Sequence, residues 1–394
     1  MKISAYHKKR GDSVTLKTDY NELDKFDKVY ISKVFVKTTV PGEPSEGEKT
    51  EDNIIQWYSN NLFLKMPNIE YGGTGFFYDK APPLPEEIEH TMPDYHLYDD
   101  WVETAIKQCA KREEFKYYLD YSIGYLTRRC FRQCYYCVNR NYKSVITASP
   151  LSEFMDKTRP KLCFLDDNFF GSPYWKDLIK QVVESKKRFQ FKQGLDERLL
   201  TTEKIIELSK WRYDGDVIFA FDNIEDKALI ISKLKLIRGT VPEWNRPLKF
   251  YVFCGCDKHD KYDLAFWKRD IENLFDRISV LTSFGAKPYI MRFERVYHSE
   301  FNGFYSAVAS WCNQPSLFRT MSFRLFCKCK GMRMNGYNIY KRDVDGYLNN
   351  IGLKGSTWLA MEWVEHLFPD IAEQYFDMDG KKKEGIVGTN YTQE

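Results

Sequence analysis

Gly124-Tyr125-Leu126-Thr127-Arg128-Arg129-Cys130-Phe131-Arg132-Gln133-Cys134-Tyr135-Tyr136-Cys137 follows directly on a β-prone run, Tyr117 to Ile123. It opens a long series of alternating strand-like and helix-like segments that extends from Phe115 to about Glu294. The further strand candidates are Leu162 to Leu165, Phe189 to Lys192, Val217 to Phe221, Phe250 to Phe253 and Pro288 to Arg292. Helical stretches are expected between most of them, at Tyr174 to Glu184, Thr202 to Lys210, Asp226 to Leu236 and Leu264 to Ile278. Short βα units in succession imply a parallel sheet, either doubly wound or curled into a full or partial barrel. In either form, chemistry belongs at the C-terminal ends of the strands.

The quoted stretch places Cys130, Cys134 and Cys137 within eight residues, in the loop after the first strand of the series. Three thiolates so spaced can wrap three corners of a cuboidal iron–sulfur cluster and leave the fourth iron open to a reactant. Arg128, Arg129, Arg132 and Arg140 surround the loop and would offset the charge of thiolates and cluster. The alternatives are a structural zinc site and three unrelated cysteines. A closed zinc site needs a fourth ligand, and the next cysteine is Cys163, at the start of another strand.

Around this core the chain is ordinary. With 394 residues, two or three domains are expected at roughly 150 residues each. Hydrophobic residues make up 43% and charged residues 29%, which excludes collagen-like, low-complexity and mostly disordered classes. A net charge of +3 is too small to argue for nucleic acid by itself. Ten cysteines are too few for a disulfide scaffold, so clustered ones read as metal ligands or redox groups. No run approaches the roughly 18 apolar residues of a membrane span, and Met1 to Lys9 lacks the apolar core of a signal peptide, so a cytoplasmic protein without a membrane partner is expected.

The sequence divides into residues 1–112, 113–300 and 301–394. The first part reads as a small Rossmann-like α/β unit. Its strands are expected at Lys2 to Tyr6, Lys28 to Val34 and Ile69 to Tyr71, with a helix at Ile54 to Leu64 and a loop at Pro41 to Glu48. Gly72-Gly73-Thr74-Gly75 is either a tight structural turn or a place where backbone amides approach a ligand. The last part is mainly helical. Ser356 is placed to cap a helix through Phe368, Leu359, Trp363 and Leu367 share a core-facing stripe, Pro369 starts a new helix, and a polar tail begins at Gly380.

The cysteine spacing in a loop after the first strand resembles that of the radical S-adenosylmethionine (radical SAM) enzymes, and the likeness extends unevenly over residues 1 to 310. Tyr136 matches the aromatic position that in the family contacts the adenine. Leu165-Asp166-Asp167-Asn168-Phe169 and Gln193-Gly194-Leu195-Asp196-Glu197-Arg198-Leu199 resemble segments of the branch that carries a cobalamin-binding-type N-terminal domain. Ala220-Phe221-Asp222, Pro288-Tyr289-Ile290-Met291-Arg292, Gly72 to Gly75 and Pro93-Asp94-Tyr95 fit the same branch. The resemblance implies a parallel partial (β/α) barrel with Cys130, Cys134 and Cys137 holding an oxygen-sensitive [4Fe–4S] cluster. It further implies reductive cleavage of S-adenosylmethionine, a 5′-deoxyadenosyl radical, and an electron donor such as flavodoxin or ferredoxin. Cofactor-binding roles fall to Tyr136, Asp166, Asp167, Asn168, Gln193, Asp196 and Arg198. The acids and Asn168 would accept from the ammonium and hydroxyl groups, and Arg198 would donate to the carboxylate. Helix capping or turn formation by Asp167 and Asn168, and a salt bridge of Arg198 with Asp196 or Glu197, are the structural alternatives.

The chain departs from that branch in lacking an Asp-x-His-x-x-Gly motif for cobalt. A degenerate N-terminal domain without cobalamin is therefore expected, which counts against a cobalamin-dependent methyltransferase. No cysteine precedes Cys109, so the extra N-terminal cluster of methylthiotransferases is absent. Cys254 and Cys256, at the end of the fifth strand, are candidates for a catalytic thiol. Together with Cys312, Cys327 and Cys329 they are also candidates for an auxiliary metal site. Basic and aromatic residues mingle at Cys130 to Tyr142, Lys186 to Phe189 and Phe318 to Arg324, so nucleic acid joins peptide and small molecule as possible substrate classes. The contrasting function is a non-catalytic binding protein for nucleic acid, stabilised by iron–sulfur or zinc.

Overall fold

The repeated βα pattern is realised as two three-stranded parallel sheets, one in each of two units, Met1–Gln193 and Gly194–Glu394. The computed structural model describes residues 1–35, 38–42, 58–332 and 356–381. Among these, no helix is long and apolar enough to cross a membrane.

The first unit begins with a helix, Lys2–Lys9, where the sequence suggests a strand. The helix presents Ser4 and Lys8 on one face, and both bind the Asp94 carboxylate, at 2.6 and 2.8 Å. Its last turn carries His7, Lys8 and Lys9, which suits the negative end of the helix dipole. Strands β1 (Val29–Ser32) and β2 (Ile69–Gly72) pair in parallel over a core of Leu23, Val40, Tyr58, Leu64, Ile69 and Phe76. Of the helix expected at Ile54 to Leu64, residues 54–57 lie outside the described residues, 58–60 are helical and 62–65 form turns. Most of the Pro41 to Glu48 loop also lies outside them, as does the tail beyond Lys381.

The glycine-rich segment is a packing device. A β-carbon at Gly73 would lie 2.2 Å from the Lys33 carbonyl oxygen, and Gly73 itself has φ +108°. The Gly75 amide donates to that same carbonyl at 2.9 Å, while the Phe76 and Phe77 amides donate to Gly73 O. These amides are satisfied within the chain.

Strands β3 (Tyr121–Gly124), β6 (Lys161–Phe164) and β7 (Arg188–Phe191) form the first unit's main sheet in the order β3-β6-β7, with the helix Trp175–Glu184 crossing from β6 to β7. Leu162, Cys163, Phe164, Phe189 and Phe191 are all buried, the near-continuous burial of strands covered on both faces. β3 starts four residues later than expected, because Lys116–Leu119 is a short helix. The buried Arg159 fixes this junction by donating to Tyr118 O, Tyr121 O and Tyr95 O.

In the second unit, β8 (Val217–Ala220), β9 (Leu248–Cys254) and β10 (Lys287–Arg292) are parallel with β9 central. Helices Thr202–Lys210, Lys227–Thr240 and Leu264–Ser283 alternate with them, and side-chain oxygens of Thr201 and Asp263 cap the first and third. β9 alternates strictly: Leu248, Phe250, Val252 and Cys254 are buried, and Lys249, Tyr251 and Phe253 are half-exposed. The C-terminal helices Ser356–Leu367 and Pro369–Tyr375 fall where expected. The buried residues of the former are Met361 and Val364, continued by Phe368 just beyond its end; Leu359 is 49% exposed, and Trp363 packs at the flank on Phe301.

Tyr95 ties the first unit together. Its hydroxyl accepts from the Ile123 amide at 2.8 Å and donates to Phe154 O at 2.7 Å, inside the core. Tyr95→Phe leaves a buried donor and acceptor unpaired and is expected to lower unfolding free energy by about 1–3 kcal/mol in urea titration, with the fold retained.

Candidate functional site

The cysteine loop is closed at its base by a two-residue antiparallel ladder, β4 (Thr127–Arg128) against β5 (Ile146–Thr147). The Ala148 amide continues it by donating to Leu126 O at 2.8 Å. Residues 129–145 therefore form one bounded loop at the C-terminal end of β3. Within it, Cys137 N–H donates to Cys134 O and Arg140 N–H to Cys137 O, two successive tight turns that bring the second and third cysteines onto neighbouring positions. Arg129 and Gln133, each just before a cysteine, take left-handed φ values of +71° and +53°, uncommon for residues with a β-carbon.

All three cysteines are part-exposed thiols outside any disulfide. Arg132 N–H and the Asn168 side-chain amide donate to Cys130 Sγ, and Asn139 N–H donates to Cys137 Sγ, each at 3.4 Å. Burial pushes the Cys137 thiol up to about 11, with Cys134 and Cys130 adding to the effect. The Arg128 Nε–H is buried with no hydrogen-bond partner. Among the described residues no group of three or more His, Cys, Asp or Glu side chains is arranged to hold a single metal ion. The loop's capacity for a cluster rests on its three thiols and on the N–H groups directed at them.

Asp166, Asp167 and Asn168, at the C-terminal end of β6, hold the base of this loop. Asp166 is 1% exposed and accepts from Leu126 N–H at 3.2 Å, Thr127 N–H at 2.6 Å and the Thr127 hydroxyl at 2.7 Å. Burial pushes its carboxyl up to about 7, against the pull of those donors. Asp167 accepts from Arg129 N–H at 2.7 Å. Asn168 both touches Cys130 and caps the turn Phe169–Gly171 through the Gly171 amide. Gly171 packs closely there: a β-carbon would sit 2.9 Å from the Phe131 ring, which would have to shift. The turn-capping alternative is realised for Asn168, while Asp166 and Asp167 both work on the backbone at the base of the cysteine loop. Tyr136 lies in the same loop, its carbonyl accepting from the Tyr78 hydroxyl at 3.0 Å.

Gln193, the last residue of the first unit, is exposed. In the second unit, Asp196 is buried and receives Arg198 Nε at 2.8 Å and the Arg198 amide at 3.3 Å. Glu197 at 3.8 Å and Asp226 at 3.6 Å also face the guanidinium. Burial works against the Arg198 charge, yet these carboxylates raise its pKa overall. The salt-bridge alternative is what the structure contains, and a cofactor carboxylate would compete with three acids of the chain for Arg198.

Cys254 lies on the buried face of β9, 2% exposed, its thiol directed at Met291 O. Burial holds it well above the usual thiol range, so it is a protonated core residue. Cys256 is part-exposed; Cys312 and Cys327 are buried thiols likewise pushed up by burial. Two residues that sequence reasoning passes over organise the strand ends nearby. Arg277, in mid-helix, donates to Phe221 O, Asp222 O and Phe253 O, capping β8 and β9. Half-buried Asp270 accepts from Gly255 N–H and the Tyr305 hydroxyl. No local signature marks either; an arginine on the predicted Leu264 helix is the only available sign.

Glu197, expected in sequence only as a salt-bridge partner of Arg198, has a second role. It is 3% exposed, accepts from the Ala220 amide at 3.2 Å, and is pushed up to about 8 by burial, with Asp196 adding to the shift and Arg198 opposing it. Its folded pKa exceeds the value of 4.5 for a free side chain, so folding takes up a proton between those limits and stability falls as pH rises through them. Glu197→Gln is expected to flatten that fall between about pH 5 and 8 in urea titrations; an unchanged slope would place the proton elsewhere. Neither a scan of protein-family models nor a search of curated proteins returns a match for this chain.

Proposed function

We propose that this chain is a radical SAM enzyme whose cluster is held by Cys130, Cys134 and Cys137. The observation that carries the reading is the bounded loop at the end of β3, which holds three cysteines and in which three N–H donors meet two of the sulfurs, those of Cys130 and Cys137. Thiolates are stabilised by such donors, and hydrogen bonds to sulfur are among the levers that set a cluster's potential. In this reading the βα repeats form the parallel partial (β/α) barrel of the radical SAM core.

When bound, a [4Fe–4S] cluster supplies the electron that cleaves the sulfonium C–S bond of S-adenosylmethionine, releasing methionine and a 5′-deoxyadenosyl radical that takes a hydrogen atom from substrate. The residues of this chain do the positioning. Asp166 and Asp167 fix the backbone from Leu126 to Arg129, and Asn168 donates to Cys130. Tyr136 offers a ring for the adenine, according to the resemblance. The thiols must lose their protons on loading, and burial opposes this at Cys137, so cluster uptake should be favoured by alkaline conditions.

The test is anaerobic reconstitution with iron and sulfide, followed by S-adenosylmethionine and a strong reductant. The expected result is equimolar methionine and 5′-deoxyadenosine, falling to background in Cys134→Ala. Stoichiometric zinc, no iron–sulfur chromophore and no product would instead support the structural-metal protein.

A further inference from the structure

The first ninety residues touch the cysteine loop at two places, on either side of the cysteines. Tyr78 donates through its hydroxyl to Tyr136 O, the carbonyl just before the third cysteine, at 3.0 Å. Asp79, with a side chain only 9% exposed, accepts from Arg140 Nε at 3.0 Å and from the Asn141 side-chain amide at 2.9 Å. The same Arg140 reaches back to Tyr135 O at 3.2 Å, and its guanidinium lies 5.3 Å from the centre of the Tyr78 ring. On the other side, Glu89 Oε1 receives Arg128 Nη2 at 3.0 Å, two residues before the first cysteine, and Lys2 Nζ at 2.9 Å.

Chain separations of 58 to 62 residues for the Tyr78 and Asp79 contacts mean that no local turn explains them. The grip also comes at a conformational cost: Tyr78 sits at φ +49° and ψ −120°, a region that a bulky side chain rarely occupies. A strained residue held at the edge of a candidate site is the kind of outlier that points to function. Asp79 takes both its donors from residues three and four beyond the last cysteine, so its attachment controls where that part of the loop lies. The bond from Tyr78 does the same for the peptide that carries Tyr136 into Cys137.

We infer that Tyr78, Asp79 and Glu89 form a two-point clamp that positions the cysteine loop, and that this is a task of the N-terminal region in the present chain. The inference rests on the reading of the loop as a cluster site. In it, the clamp sets the placement of Cys137 and Tyr136 together, and with them the relation between cluster and adenine. The clamp's hydrogen bonds end on Tyr136 O, Arg140, Asn141 and Arg128 and not on a cysteine, so its members are positioning residues.

Backbone hydrogen exchange on the iron-free full-length chain tests the clamp without reference to any cluster. Asp79→Ala and Tyr78→Phe should each speed exchange about tenfold in peptides covering residues 130–142, the effect of losing one or two partly buried hydrogen bonds. Peptides from the Thr202–Lys210 helix should remain at wild-type rates. Tyr78→Phe removes a single hydroxyl and keeps the measurement meaningful if Asp79→Ala loosens the whole chain. Wild-type exchange in 130–142 for Tyr78→Phe would overturn the clamp. Positioning, as opposed to mere support, is read from reconstituted Tyr78→Phe. Its iron content should match wild type, while the electron paramagnetic resonance spectrum of the reduced form with S-adenosylmethionine should resolve into more than one species. A single wild-type spectrum would reject the positioning role. Failure of the wild-type chain to bind iron and sulfide would remove the cluster reading, leaving the exchange result to judge the contacts alone.

Discussion

Three consecutive polar residues at the end of β6 hold the backbone on which the candidate chemistry depends. Asp166 takes the amides of Leu126 and Thr127, Asp167 takes that of Arg129, and Asn168 reaches Cys130. A loop leaving a strand has amides without ladder partners, and burying them unpaired would cost more than the bonds gain. Here one strand end supplies those partners for its neighbour in register, since β3 and β6 pair in parallel and the Leu165 amide continues the ladder to Gly124 O. The cysteines therefore start from a fixed point. The left-handed Arg129 and Gln133 and the tight turns from Cys134 to Arg140 are built outward from it.

The second unit applies the same economy at its own strand ends with longer side chains. Arg277 caps three carbonyls at the ends of β8 and β9, and Arg198 gathers Asp196, Glu197 and Asp226 around one guanidinium. A buried cation with several oxygen partners is tolerable where an isolated one is not. The consequence for chemistry is restrictive: residues that look like ligand donors in sequence are already engaged in holding the scaffold. Cys254 illustrates the same point through burial, because alternation along β9 turns its thiol to the covered face.

Much of the βα series is legible in the sequence because parallel strands and amphipathic helices declare themselves through burial patterns and caps. Thr202–Lys210 matches its expected span, and the six strands of the two main sheets all fall on their expected positions to within a few residues. The N-terminal helix is not legible because Lys2 to Tyr6 is short, and its helical phase is visible only in the partner it meets, Asp94. The buried C-terminal stripe lies one or two residues out of phase with expectation, since Leu359 and Trp363 are as apolar as the buried Met361 and Val364. At the site, the cysteines are evident from spacing. The division of labour among the polar residues is not. Whether an aspartate binds a ligand or a backbone amide depends on contacts made across tens of residues, as with Asp79 and Arg140, which local sequence does not encode.

The central claim is that the loop at the end of β3 holds a cluster by three thiolates and leaves one iron for S-adenosylmethionine. Mössbauer spectroscopy of the chain reconstituted with iron-57 tests it most directly, with and without S-adenosylmethionine. The account predicts one iron of the cluster distinct from the rest, with its isomer shift changing when S-adenosylmethionine is added. Equivalent irons that ignore S-adenosylmethionine, or a chain that takes up no iron–sulfur cluster at all, would contradict it.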